Sequence, residues 1–204
     1  MPSQRDESPI TATIMAAEAA GLASAAIAER VWAEHGTQCA MLALDSSGMT
    51  RTSRRLGIVH FLHRYLKMRD VAAGVIEEHG CLSWRCFADN LFAEFADADT
   101  ALTAALQIHR RVWAAGIMLT DTERYRVCLG VGFGRVLRNG AFGVMGDEMN
   151  LVAKLAEDIA EGGETLLTDS AYGTLKTHAA IPVEKRTLVI SKLDVTCYRV
   201  REST

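Results

Sequence analysis

The run Cys39-Ala40-Met41-Leu42-Ala43-Leu44 constrains the fold more than any other stretch of this chain. It leaves no residue to face water, so it is expected to be a central strand covered on both faces. Asp45-Ser46-Ser47-Gly48-Met49-Thr50 follows at once. A carboxylate at the end of a buried strand is either a solvated turn residue or a ligand, and Gly48 marks a point where backbone can approach a phosphate.

A second acidic turn lies in residues 81–95. Two apolar, strand-like runs flank Ala88-Asp89-Asn90, which reads as a β-hairpin with Asp89 at its tip. Alone, Asp89 is an ordinary turn residue, since Asp bonds its own backbone there. Paired with Asp45, it becomes one of two carboxylates that can share metal ions.

The rest of the chain supplies the frame. Residues 1–10 are expected to be a disordered tail, and the Ala-rich residues 11–34, with Ile14, Leu22, Ile27, Val31 and Trp32, a single helix ended by Gly36. The Asp45 loop leads into a helix over 51–78, closed by His79-Gly80. His60 and His63 lie one turn apart on it, but no further acidic or histidine partner is in register, so they read as a packed or solvated pair. A second helix spans 96–115, its start marked by Asp97, Asp99 and Thr100. A strand from Tyr125 to Phe133 continues to Leu137, and Arg138-Asn139-Gly140 is a turn with the Asn-Gly pair of hairpins. A helix over 147–159, a short strand over 165–167, a short helix over 169–177 and one or two closing strands over 181–200 complete the reading. Strand, helix, hairpin, helix, strand is the order of an α+β, ferredoxin-like βαββαβ core, here with C-terminal additions. We divide the chain into an N-terminal tail and helix, 1–37, and one domain, 38–204.

Composition narrows the function classes. A hydrophobic share of 49% and a charged share of 23% are those of a soluble globular protein. A net charge of −3 gives no global pull on nucleic acid or an anionic membrane, so a polyanion would have to be held locally. The five cysteines are odd in number and lack C-x-x-C spacing, which argues for buried thiols in a reducing cytoplasm and against a disulfide framework or zinc site. No apolar run has the length of a membrane span, and the N-terminus lacks the order of a signal peptide. The expected location is cytoplasmic.

The Asp45 loop, the Asp89 hairpin and the run Gly146-Asp147-Glu148-Met149-Asn150-Leu151-Val152-Ala153-Lys154-Leu155, in that order, resemble the class III nucleotidyl cyclase catalytic domain over residues 38–200. The resemblance implies a homodimer with composite active sites at the subunit interface. It implies that Asp45 and Asp89, with the Ser46 carbonyl, hold two Mg²⁺ or Mn²⁺ ions, and that the amides of Ser47, Gly48, Met49 and Thr50 face the triphosphate. From the other subunit, Asn150 matches the ribose-orienting asparagine, and Lys154 stands where the family usually has a transition-state arginine, keeping its charge without the planar fork. Lys192 falls near the position of a triphosphate lysine. Cys128 replaces an arginine for pyrophosphate, with Arg126 two residues away on the same strand.

The base-reading positions depart from the purine pattern. Family members that use ATP have a lysine and an aspartate where this chain has Arg85 and Gly143. Adenine needs both a donor and an acceptor, whereas Arg85 is donor-only and Gly143 has no side chain. Uracil, with two carbonyl acceptors, suits an arginine best. The departure makes the chain similar to the stand-alone pyrimidine cyclases of bacterial antiphage (Pycsar-type) defence, which implies UTP, then CTP, as substrate and a separate effector protein that reads the product. Asp147 or Glu148 entering the pocket would restore an adenylate cyclase. A degenerate domain that binds a nucleotide or a partner without turnover is the remaining alternative.

Overall fold

The central strand is β1 (Gly36–Ser46), whose residues Cys39 to Leu44 are all buried. The computed structural model describes residues 8–140, 143–176, 181–190 and 192–201. Strand β1 runs between two antiparallel neighbours, β3 (Asn90–Phe95) and β4 (Val127–Arg138). With β2 (Ser83–Phe87) paired to β3, the first four strands lie in the order β2-β3-β1-β4. Strands β6 (Thr165–Thr168), β8 (Leu193–Val200) and β7 (Val183–Ile190) extend the sheet beyond β4, and the two-residue β5 (Val144–Met145) pairs with the end of β4. The expected ferredoxin-like core and its C-terminal extension are present.

The period of two along β1 divides its side chains between two cores. Ala40, Leu42 and Leu44 pack with Phe61, Met68 and Ile76 of α4 (Ile58–Glu78) and with Leu102 and Ile108 of α5 (Ala98–Ala114). Cys39, Met41 and Ala43 face the other side, against Val152 of α6 (Asp147–Lys154) and Ala156 beyond it. Asp97 caps α5 by accepting from the Thr100 amide at 2.9 Å, as the sequence indicates.

Several expectations need correction. The N-terminal helix is two, α1 (Pro9–Ala19) and α2 (Ser24–His35), broken where Gly21 takes a φ of +75°. Helix α1 starts inside the stretch read as a tail: Ser8 caps it, and the Ile10 amide donates to Asn139 Oδ1 at 3.4 Å; residues 1–7 lie outside the described residues. The helix over 51–78 is also two, α3 (Met49–Leu56) and α4, separated by Gly57 at φ +90°, ψ +152°, a conformation that ends a helix and is open to glycine. The helix expected over 147–159 changes after Lys154 into a π-helical turn, Leu155–Ile159. The turn after Arg138 is longer than a two-residue Asn-Gly turn, because β5 begins only at Val144; residues 141–142 lie outside the described residues. Helix α7 (Asp169–Thr174) is shorter than expected. Of the cysteines, Cys39, Cys128 and Cys197 are buried, but Cys86 is exposed and Cys81 half-buried. Among the described residues no helix is long and apolar enough to cross a membrane.

Candidate active site

Asp45 and Asp89 come together at one end of β1. Asp45 is opposite Cys128 of β4, and Asp89 is the second residue of the two-residue turn between β2 and β3, in which Ala88 takes a left-handed φ of +54°. The buried Ser46 joins the two loops: its hydroxyl accepts from the Tyr125 hydroxyl at 2.7 Å and donates to the Asp89 carbonyl at 3.3 Å. Asn90 donates to Glu157 of the π-helical turn at 2.9 Å, which fastens the hairpin tip from the other side.

Burial, then the charge of Asp89, pushes the Asp45 carboxyl up to about 6, with Glu157 and Asp158 adding to the effect. Burial raises Asp89 as well. No cation offsets either carboxylate among the described residues. Two half-withdrawn carboxylates without a counter-charge are a hard-oxygen donor pair that suits Mg²⁺ or Mn²⁺. Among the described residues, no group of three or more His, Cys, Asp or Glu side chains is arranged to hold an ion.

Beside this pair, Gly48 at φ +90° opens α3. A Cβ there would sit 3.2 Å from Leu119 and from Arg51, which is tight packing in addition to the left-handed backbone. The Ser47 amide, which the resemblance would direct at the triphosphate, instead donates to the Arg126 carbonyl at 3.2 Å. Met49 and Thr50 form the first turn of α3. A cleft of about 610 Å³ opens next to Ser47, lined also by Arg51, Arg124, Arg126 and Gly162. Arg126 is exposed, with Nη1 3.5 Å from the Gly162 carbonyl, while Arg51 is paired with Glu123. The structure therefore brings Arg126 beside the Ser47 loop. Lys192 is elsewhere, exposed at the turn joining β7 and β8 on the far edge of the sheet, at a φ of +69°.

Asn150 and Lys154 lie one turn apart on α6, both exposed. Lys154 pairs with Asp158 at 3.2 Å, and among the described residues no hydrogen bond or ion pair links either residue to Asp45 or Asp89 of the same chain. Within one chain, then, Lys154 meets the acidic pair only through Asp158, whose charge also bears on Asp45.

Arg85 and Gly143 do meet. A Cβ on Gly143, whose φ is +79°, would coincide with the Arg85 guanidinium, so the arginine fills the volume a side chain at 143 would occupy. The sequence reading missed their neighbour Glu94, which is 2% exposed on β3 and lies near Arg85, Arg138 and Ser83. A lone Glu between Ala93 and Phe95 in an apolar strand was the available signal, since a buried charge requires partners. Glu148 is directed elsewhere: its Oε1 accepts from the Phe133 amide at 3.1 Å and from the hydroxyls of Thr168 and Ser170.

No family model and no curated protein matches the sequence. The solved structures do match. The guanylyl cyclase Cya2 superposes with a TM-score of 0.69 at 18% identity, over 81% of this chain and 92% of that one. The adenylyl cyclase CyaB from P. aeruginosa gives 0.66 at 18% identity, over 83% and 97%. An adenylate/guanylate cyclase/hydrolase from Silicibacter pomeroyi gives 0.68 at 20% identity, over 83% and 99%. The chain has the class III cyclase fold. At these identities the cyclase fold is what the likeness establishes, and the acidic pair at the end of β1 carries the functional reading.

Proposed function

We propose that the chain is a nucleotidyl cyclase that converts a nucleoside triphosphate, UTP before CTP, into a 3′,5′-cyclic nucleotide and pyrophosphate. The observation that carries this reading is the pairing of Asp45 with Asp89 across Ser46, two carboxylates brought together against their mutual repulsion with no cation beside them among the described residues. Bound there, two divalent ions would acidify the ribose 3′-hydroxyl and neutralise charge on the triphosphate. The chain's own residues do the rest. Asp45 and Asp89 hold the site, and Ser46 and Tyr125 fix the distance between their loops. The first turn of α3 and Arg126 face the phosphates. The 3′-oxygen forms a bond to the α-phosphorus, the bond to the β-phosphate oxygen breaks, and the hydroxyl proton leaves to solvent.

The reading takes the site to be composite: Asn150 and Lys154, exposed on α6 and without a bond to the acidic pair of their own chain among the described residues, would complete the site of the other subunit of a homodimer. Lys154 would exchange Asp158 for the transition-state charge. Lys192, exposed on its turn, is assigned to the triphosphate of that composite site. The pyrimidine preference is supported by Arg85 filling the space beside Gly143 and by the engagement of Glu148 with Phe133, Thr168 and Ser170, which keeps it from adenine. A cyclic pyrimidine nucleotide read by a separate effector, as in antiphage defence, is the role this preference suggests.

The purified protein incubated with Mn²⁺ and each of ATP, GTP, UTP and CTP tests the reading. Cyclic UMP as the main product supports it. Cyclic AMP alone would overturn the base assignment and point to Asp147, exposed at the start of α6, as the adenine acceptor. No product from any nucleotide, with Asp89→Ala equal to the parent in nucleotide binding, would leave a binding domain.

A further inference from the structure

We propose that Glu94 is the acceptor of the base pocket, and that Arg85, Glu94 and Arg138 read the edge of uracil as donor, acceptor, donor; this rests on the assignment of Arg85 to the base. Strand β3 places Leu91, Ala93 and Phe95 in the core under α4 and α5, so the alternate residues Phe92 and Glu94 lie on the opposite face, where Arg85 pairs in register with Phe92. A carboxylate buried to 2% exposure is costly unless paired and hydrogen-bonded. Glu94 has its partners: Oε1 accepts from Ser83 Oγ at 2.8 Å and Oε2 from Arg138 Nη2 at 2.9 Å.

Arg85 differs from Arg138. Its Nη1 stands 3.9 Å from Glu94 Oε1, close enough for charge attraction and too far for a hydrogen bond. Its guanidinium lies over the Phe92 ring, 5.5 Å from the centroid, and among the described residues donates no hydrogen bond. A half-buried fork with unused donors therefore adjoins a carboxylate that still has lone pairs to offer, and a second arginine flanks that carboxylate on its other oxygen. This arrangement supplies what Arg85 alone does not, an acceptor between two donors.

The four bases ask for different patterns. Uracil presents O2, N3–H and O4, which is acceptor, donor, acceptor. Cytosine replaces the last two with an N3 acceptor and an N4 donor. Adenine offers an N1 acceptor beside an N6 donor, and guanine an O6 acceptor followed by N1 and N2 donors. Uracil is the base of the four that needs a donor on each side of an acceptor.

Glu94→Gln tests this, because the amide keeps the shape, removes the charge and puts an N–H donor in place of one of the two accepting oxygens. The ratio of kcat/KM for UTP to that for CTP is expected to fall about ten-fold or more, the scale of one good base contact, with binding of 3′-deoxy-UTP and 3′-deoxy-CTP by calorimetry following the same ratio. Arg138→Gln, at a more exposed position, is expected to lower the same ratio, and decides the matter if thermal unfolding shows that Glu94→Gln does not fold. A merely structural Glu94 would weaken both nucleotides alike, and an unchanged ratio in the folded variants would overturn the proposal. Arg85→Met separates the two levels: loss of UTP preference there, with an unchanged ratio in Glu94→Gln, would leave the Arg85 assignment standing without Glu94. An unchanged ratio in Arg85→Met as well would remove both.

Discussion

Tyr125 donates from its hydroxyl to the hydroxyl of Ser46 across 2.7 Å, in the buried space behind the two acidic loops. Through Ser46 the bond reaches the Asp89 carbonyl, so a residue with no place in the chemistry sets the distance between two proposed ligands. Tyr125→Phe removes one hydrogen bond from a buried serine, expected to cost about 1 kcal/mol and about 2–4 °C in Tm. The Mn²⁺ concentration for half-maximal activity should rise more than KM for the nucleotide does; equal rises in the two would assign Tyr125 to general stability.

Asp45→Asn addresses the acidic pair itself. An acid whose folded value is raised to about 6 weakens the ionised fold at pH 7, and that penalty disappears as pH falls through 6 towards 3.8. The amide should therefore make the metal-free protein more stable at pH 7, by about 1 kcal/mol after discounting for solvent screening. Mn²⁺ should raise the Tm of the parent and leave that of the variant unchanged, and a metal chelator should reverse the rise. A variant less stable than the metal-free parent would contradict this account of the pair.

Gly143→Ala places a methyl group on the Arg85 guanidinium and forces a non-glycine residue to φ +79°. The backbone contribution alone is about 1 kcal/mol. The displaced arginine should raise KM for UTP with a smaller change in kcat, measured by initial rates. Removing the arginine's bulk in Arg85→Ala/Gly143→Ala should recover the part of the stability lost to the clash, leaving the backbone contribution, without restoring UTP selectivity.

The proposed sharing of Asn150 and Asp89 between two subunits makes a mixing experiment decisive. Asp89→Ala and Asn150→Ala are each expected to be inactive. Mixed in equal amounts and allowed to exchange subunits, they should recover about a quarter of the parent activity, since half the dimers are mixed and each has one intact site of two. A mixture as inactive as its components would argue against composite sites.

His109 gives a pH dependence away from the site. Burial holds its imidazole down at about 4, below the ordinary 6.5, and the ring shares a 3.0 Å hydrogen bond with Thr165. Between pH 6.5 and 4 the unfolded chain takes up a proton that the folded chain refuses, so stability falls as pH is lowered through that window. The loss should be about 2 kcal/mol, allowing for the edge of the ring that meets solvent. His109→Gln should flatten the Tm profile over this range relative to the parent.

The acidic loops and the hairpin were legible because strands repeat every two residues and Asp89 has apolar runs on both sides. The breaks at Gly21 and Gly57 were not, because helical periodicity continues across them and only the φ of the glycine separates the pieces. The meeting of Arg85 with Gly143 joins residues far apart in sequence through the folding of the β4–β5 turn over the sheet. Tyr125 looked like the apolar start of a strand, and its hydroxyl acquires meaning only once Ser46 is placed opposite. Glu94 was visible as an odd residue in an apolar strand, but its partners lie on two other strands.

The docking of α1 has a practical consequence. The Ile10 amide bonds Asn139, Pro9 packs against Gly140, and the Asn139 amide donates to the Gly143 carbonyl at 2.7 Å. A purification tag fused upstream of α1 would sit next to a helix docked on the turn that carries Gly143, so kinetics recorded on tagged protein need not match those of the untagged chain. Substrate preference should be compared before and after proteolytic removal of any such extension.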